Sequence, residues 1–172
     1  MQRLKKIRIH GWINNFSLAL IIILDSAPGF GREAMAAIKA SDELIYVMTP
    51  YVPSLMDVVK CHQVAEQFGV KSLGIIVNMA GEGRHELVVK EIEQLAELPV
   101  LSRIPRDKNV PKSLSDKVPV IDLSPRSRAS REFRRLAAGI VGQEYKDGLF
   151  SRVFGKFWRK NSSGLDFKIK AV

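Results

Sequence analysis

Short apolar runs alternate along this chain with stretches of helical periodicity, and that alternation restricts the fold more than any other feature. The runs are Leu18-Ala19-Leu20-Ile21-Ile22-Ile23-Leu24, Leu44-Ile45-Tyr46-Val47-Met48, Ser72-Leu73-Gly74-Ile75-Ile76-Val77-Asn78 and Val100-Leu101. Between them, residues 32–40 place Ala34, Ala37 and Ile38 on one helical face. A second helix is expected to open on Pro53-Ser54, run to Phe68 and close at Gly69. A third is expected over residues 84–98, stopped by Pro99, and a last one over 127–143, bearing Phe133, Leu136, Ala137 and Ile140. Strand–helix alternation of this period predicts an α/β fold of three layers around a mostly parallel sheet. At 172 residues and 46% apolar, the chain has enough material for one sizeable core.

Residues 1–20 form an atypical N-terminal segment. Arg3, Lys5, Lys6 and Arg8 precede the first apolar run, a pattern shared with secretory signals. The run is too short to span a bilayer, is rich in Ile and leads into Asp25-Ser26-Ala27-Pro28-Gly29. It is therefore read as a buried strand opening into a ligand loop. Ile7, Ile9 and Ile13 alternate upstream, so residues 5–13 are a candidate for a further strand, interrupted at His10-Gly11.

In parallel α/β sheets, ligands sit beyond the C-terminal strand ends. Three unusual strand ends fall there: Asp25-Ser26-Ala27-Pro28-Gly29, Asn78, and Ile104-Pro105-Arg106-Asp107. Asp25 can hold magnesium or its water shell, and Gly29 and Gly31 allow backbone amides to approach a phosphate. The same residues also suit an ordinary strand-to-helix turn. Asn78 can present its amide to a purine edge or cap a turn. Asp107 can cap the short helix that follows. Cys61 is the only cysteine, which excludes an intrachain disulfide. Cys61-His62 lacks further ligands nearby, and His10 and His85 stand alone, so a structural role is expected for the pair.

The net charge of +9 is concentrated in the tail: residues 124–172 carry +8 and residues 1–123 only +1. Within that tail Leu149, Phe150, Val153, Phe154, Phe157 and Trp158 fall on one half of a helical circumference. Arg152 and Arg159 point the other way, Lys156 sits at the rim and Lys160 follows. Three Phe rings and one Trp on a short basic helix suit an anionic membrane surface. A partner groove, nucleic acid or a solvated basic tail with no specific target are the alternatives. Charge gathered at one end makes a nucleic-acid binder the less favoured of these.

Taken in order, these features resemble the MinD/ParA family of deviant P-loop ATPases, and its MinD branch most closely. The carriers are Ile22-Ile23-Leu24-Asp25-Ser26-Ala27-Pro28-Gly29, then Ile75-Ile76-Val77-Asn78, then Ile104-Pro105-Arg106-Asp107. Residues 119–127, Pro119-Val120-Ile121-Asp122-Leu123-Ser124-Pro125-Arg126-Ser127, are similar to the family's strand before its last helix. Residues 149–160 resemble its C-terminal membrane-targeting helix.

The resemblance implies a partial domain over residues 21–145, a membrane-targeting helix over 146–160 with its hinge at Lys146-Asp147-Gly148, and a flexible tail over 161–172. It implies ATP and Mg2+ as cofactors, with Asp25 as the Walker B-like aspartate. Asn78, Pro105 and Asp107 would stand beside the base, and Gly29 near the phosphates. It also implies attachment to the cytoplasmic face of the membrane in cell division or positioning. The partner would be a second copy or a full-length MinD-like ATPase.

One departure matters. No Gly-x-x-x-x-Gly-Lys-Ser/Thr is present in the sequence. The lysines that neutralise phosphate in the family therefore have no counterpart in these residues, so weak or no hydrolysis is expected of the chain alone. An active ATPase whose phosphate loop comes from a partner chain and a ParA-like nucleic-acid-binding partition protein are the competing readings.

Overall fold

A computed structural model describes residues 2–8, 19–26, 29, 31–81, 83–143 and 145. The chain divides into two compact units, Met1–Arg106 and Asp107–Val172. The first contains strands β1 (Gln2–Arg8) and β2 (Ala19–Asp25), helix α1 (Arg32–Lys39), strand β3 (Glu43–Met48), helix α2 (Val52–Gln67), strand β4 (Lys71–Ala80), helix α3 (Val89–Ala96) and strand β5 (Val100–Pro105). The second contains helices α4 (Asn109–Asp116), α5 (Val120–Leu123) and α6 (Arg128–Ile140). The result is the expected α/β fold with a mostly parallel sheet.

The sheet order is β2-β1-β3-β4-β5. β3 pairs in parallel with β4, and β4 with β5. β1 is antiparallel to both β2 and β3, so β2, β3, β4 and β5 all point the same way. The apolar alternation near the N-terminus thus forms a strand, but over Gln2–Arg8, starting earlier than residues 5–13 suggested. Residues 9–18 lie outside the described residues, as do 146–172 with the expected hinge, amphipathic helix and tail.

Leu44, Tyr46 and Met48 on one face of β3 join Ile75 and Val77 of β4 in the core of this unit. α2 covers them with Leu55, Val58, Cys61 and Ala65, α3 with Ile92 and Ala96, and α1 with Ile38. These side chains are nearly free of solvent contact, and each large one contributes roughly 1.5–3 kcal/mol by burial. The central strand β3 is covered on both faces, which is why its sequence is apolar without alternation. A polar group is tolerated at the rim: the Tyr46 hydroxyl meets the Ser72 hydroxyl at 2.8 Å, which also meets His62 Nδ1 at 3.0 Å.

Two local expectations are corrected. The third helix begins at Val89, not near residue 84, because residues 83–88 are held by non-helical bonds. There the Glu86 carboxylate accepts from the Gly81 and Gly83 amides, and the Leu87 amide donates to the Pro50 carbonyl. The helix then starts where Glu91 reaches back to the Val88 amide at 2.9 Å. The second correction concerns residues 119–127, which form the short helix α5 and a turn, not a strand. The Pro119 carbonyl accepts from the Asp122 and Leu123 amides, starting a helical turn that Pro125 prevents from extending. Side chains of α6 fix it: Ser130 donates to the Val120 carbonyl and Arg134 to those of Ile121 and Pro125.

Gly74 shows how tightly β4 is held. Its φ of +148° and the shift in β3–β4 pairing at Leu44/Ile45 mark an irregularity that brings the neighbouring backbone close. A Cβ at this position would lie 2.5 Å from the Pro99 carbonyl oxygen and 2.7 Å from Leu101. The adjacent Ile75 amide donates to that same carbonyl at 2.8 Å, so the backbone has no freedom to yield. Gly74→Ala is expected to cost about 2–4 kcal/mol through strain and overpacking, read as a lowered urea midpoint at unchanged slope.

Candidate functional site

Because β2, β4 and β5 share a direction, their C-terminal ends lie along one edge of the sheet. Asp25 ends β2, Asn78 lies near the end of β4 and Pro105 ends β5. β4 and β5 are neighbours, with Ala80 paired to Pro105. β2 stands three strands from β4, about 14 Å at ordinary spacing. The edge therefore brings Asn78 and Pro105 together and sets Asp25 apart. Asp25 is exposed, as is Gly29 in the loop beyond it, which has φ +85°.

Asn78 is half-buried, and its side-chain oxygen accepts the Met79 amide at 2.9 Å. That bond fixes which end of the side-chain amide faces the backbone and turns the NH2 group away from it. Met79 adopts φ +57°, ending the regular strand conformation. One residue further, the Ala80 carbonyl accepts the Arg106 amide at 3.1 Å, tying the end of β4 to the residue after β5. The start of α2 is tied to this edge as well, since the Ser54 hydroxyl accepts the Thr49 amide at 3.2 Å.

Sequence reasoning missed the carboxylate that organises the loop after Asn78. Glu86 accepts from the Gly81 amide through both oxygens, at 2.8 and 3.1 Å, and from the Gly83 amide at 3.1 Å. Its side chain is 7% exposed and stands 4.0 Å from the Arg103 guanidinium on β5. The available signal was the Gly81-Glu82-Gly83 sequence with a second glutamate three residues on.

The second unit opens with Asp107. Its Oδ1 accepts the Asn109 backbone amide at 2.9 Å and the Asn109 side-chain amide at 2.7 Å, and its Oδ2 accepts the Ala129 amide at 3.1 Å. The expected cap on the following helix is present, and the same carboxylate also caps α6. Both oxygens are therefore engaged within the unit. A shallow open cleft of about 350 Å³ lies alongside, lined by Asn109, Ser124, Pro125, Arg126 and Ser127. Burial, the largest influence, pushes the Asp107 carboxyl up, but donors at Asn109, Ala129 and Ser127 outweigh it and hold it at about 2.

Cys61 lies in the core, where burial first and Asp57 second push its thiol up. Among the described residues no group of three or more His, Cys, Asp or Glu is arranged to hold a metal ion. No helix among the described residues is long and apolar enough to cross a membrane. The membrane-facing residues expected at Leu149, Phe150, Arg152, Val153, Phe154, Lys156, Phe157, Trp158, Arg159 and Lys160 lie outside the described residues.

Comparison with known proteins gives consistent matches. A family pattern described as "ParA: NUBPL iron-transfer P-loop NTPase" matches residues 12–141. An uncharacterized ATP-binding protein of Methanocaldococcus jannaschii is 33% identical over 129 residues, which cover 75% of this chain and 49% of that protein. An iron-sulfur cluster carrier protein of the same organism is 29% identical, over 70% of this chain and 45% of its own length. Among solved structures, the septum site-determining protein MinD of Pyrococcus horikoshii, complexed with Mg-ADP, superposes with a TM-score of 0.64 at 26% identity. That match covers 67% of this chain and 48% of the MinD chain. The chain thus spans about half the length of the curated relatives it matches.

The Asp107 bonds make a pH prediction. Its folded value lies below the ordinary 3.8, so its contribution is complete above about pH 4 and is lost as pH falls through about 2. Asp107→Asn is expected to lower stability near neutral pH by about 1–2 kcal/mol, after allowance for solvent screening. The gap from wild type should close across that acid window in circular-dichroism melts. A gap that stays constant down to pH 2 would refute the assignment.

Proposed function

The chain belongs to the ParA/MinD family of P-loop NTPases, and from that premise we propose that it forms the base-reading part of an adenine-nucleotide site. The observation that carries this reading is the emergence of Asp25, Asn78 and Pro105 on one sheet edge. The Asn78 amide would donate to the purine edge and Pro105 would pack beside the ring. The loop bearing Gly29 would face the phosphates, and Asp25 would hold magnesium through its water shell. Magnesium supplies charge neutralisation at the phosphate oxygens when bound. One carboxylate suits such a site, because magnesium is commonly held by one or two carboxylates and retained waters.

These residues fit the base end of a nucleotide better than the phosphate end. Phosphoryl transfer depends on positioned positive charge, and these 172 residues contain no phosphate-loop lysine. β1 does not supply the missing part. It occupies the position between β2 and β3 but runs the opposite way, so Gln2 lies opposite Asp25 while Arg8 lies opposite Ala19. Hydrolysis then requires groups from outside these residues, such as a partner chain. An iron-sulfur cluster does not fit: clusters are held by several thiolates, and the one cysteine here is buried in the core.

The polypeptide of residues 1–172 is expected to hydrolyse MgATP at background rate. Turnover comparable with an intact family member, abolished by Asp25→Ala, would overturn that.

We also propose that residues 149–160 attach the protein to anionic membrane, with dimerisation raising avidity. The apolar half-circumference with its basic flank supports this. Each basic residue near an anionic surface contributes about 1 kcal/mol, so one copy binds weakly. In vesicle co-sedimentation, wild type should pellet with anionic and not zwitterionic lipid, and Phe154→Glu should lose most of that binding. Equal pelleting of the two proteins would count against it.

A further inference from the structure

We propose that Glu86 is a positioning residue for purine recognition, holding the end of β4 so that Asn78 discriminates adenine from guanine. This rests on the nucleotide reading above and assigns a determinant of its base selectivity. This carboxylate and the residue after it link segments belonging to three strands. It accepts the Gly81 and Gly83 amides of the loop that continues β4. It faces Arg103 of β5. The next residue, Leu87, donates its amide to the carbonyl of Pro50, just beyond β3, at 2.9 Å.

Between Asn78 and Gly81 the sheet holds Ala80 but not the turn residues beside it. Ala80 is buried and paired with Pro105, but on either side of it Met79 and Gly81 have positive φ, +57° and +101°, and both are exposed, so packing does not hold those two residues. Met79 is the residue whose amide orients the Asn78 side chain. Releasing the Gly81 amide would free the turn around Met79 to relax, and with it the amide that orients the Asn78 side chain. The bonds are strong because the acceptor is ionised and the carboxylate lies almost out of water. Discrimination between purines demands such fixing, since adenine and guanine differ in the donors and acceptors on their edges. Affinity for the phosphates makes no such demand on this loop.

The test uses the polypeptide of residues 1–172 and its Glu86→Gln and Glu86→Asp variants, titrated calorimetrically with MgATP, MgGTP and tripolyphosphate. Glutamine keeps the size but replaces one acceptor with a donor facing amide donors; aspartate keeps the charge with less reach. Wild type is expected to prefer ATP over GTP by about tenfold or more, and Glu86→Gln to bring the ratio to about twofold or less. Tripolyphosphate affinity should stay unchanged and Glu86→Asp should recover part of the preference. Hydrogen exchange at the Gly81 and Gly83 amides should accelerate in Glu86→Gln while that at Val77 does not. An unchanged ATP/GTP ratio in Glu86→Gln, or equal loss of affinity for all three ligands, overturns the proposal while leaving the nucleotide reading intact. If Glu86→Gln does not fold, Glu86→Asp decides: a ratio below that of wild type supports the proposal and an unchanged ratio overturns it. Wild type that binds neither nucleotide overturns both readings.

Discussion

Everything at the C-terminal edge of the sheet depends on the backbone ladder that holds β4 between β3 and β5. Parallel pairing aligns the strand ends, and ends aligned in that way are the only reason residues distant in sequence can face one ligand. The ladder is unusually close near Pro99, where a backbone carbonyl occupies the space a side chain would need at position 74. Hydrophobic burial beneath the sheet supplies most of the favourable energy, but it is non-directional. Register comes from the hydrogen bonds and from the irregularity at Gly74, and register decides that Ala80 meets Pro105.

Much of this was legible in the sequence. Ile22 to Asp25, Ile75 to Asn78 and Ile104 to Pro105 read as strand ends because apolar runs stop there at residues with functional side chains. Element existence follows from burial, and burial follows from apolar pattern. Other features were not legible, for identifiable reasons. Alternation of apolar residues marks a strand but carries no direction, so the antiparallel course of β1 could not be read from Ile7 and Ile9. Residues 84–88 have helical composition, yet the buried Glu86 carboxylate offers the backbone donors of Gly81 and Gly83 a better partner than solvent. Residues 119–127 are β-branched enough for a strand, but Ser130 and Arg134 of α6 capture their carbonyls. In the last two cases a side-chain contact to the backbone overrode local propensity, and such contacts leave little trace in a single sequence.

Two carboxylates, one in each unit, illustrate how a charge can serve structure. Glu86 and Asp107 both accept several backbone donors, and both fasten segments that local propensity alone would not fix. Asp25, by contrast, is exposed at the sheet edge. Environment separates these acids: two are committed to the chain's own amides, while the third is exposed to solvent.

The antiparallel course of β1 also bears on how the sheet assembles. β1 and β2 are joined through residues 9–18, so their ladder closes a short loop, whereas β3–β4 and β4–β5 pair across whole helices. Closing a short loop sacrifices less chain entropy than closing a long one. Hairpins form within about 1–10 μs, while parallel pairing is intrinsically slow. Contact order therefore favours the β1–β2 hairpin as an early unit. β1 pairs with β3 over only Gln2 to Leu4, so joining the hairpin to the parallel strands depends on a short ladder at the sheet's centre.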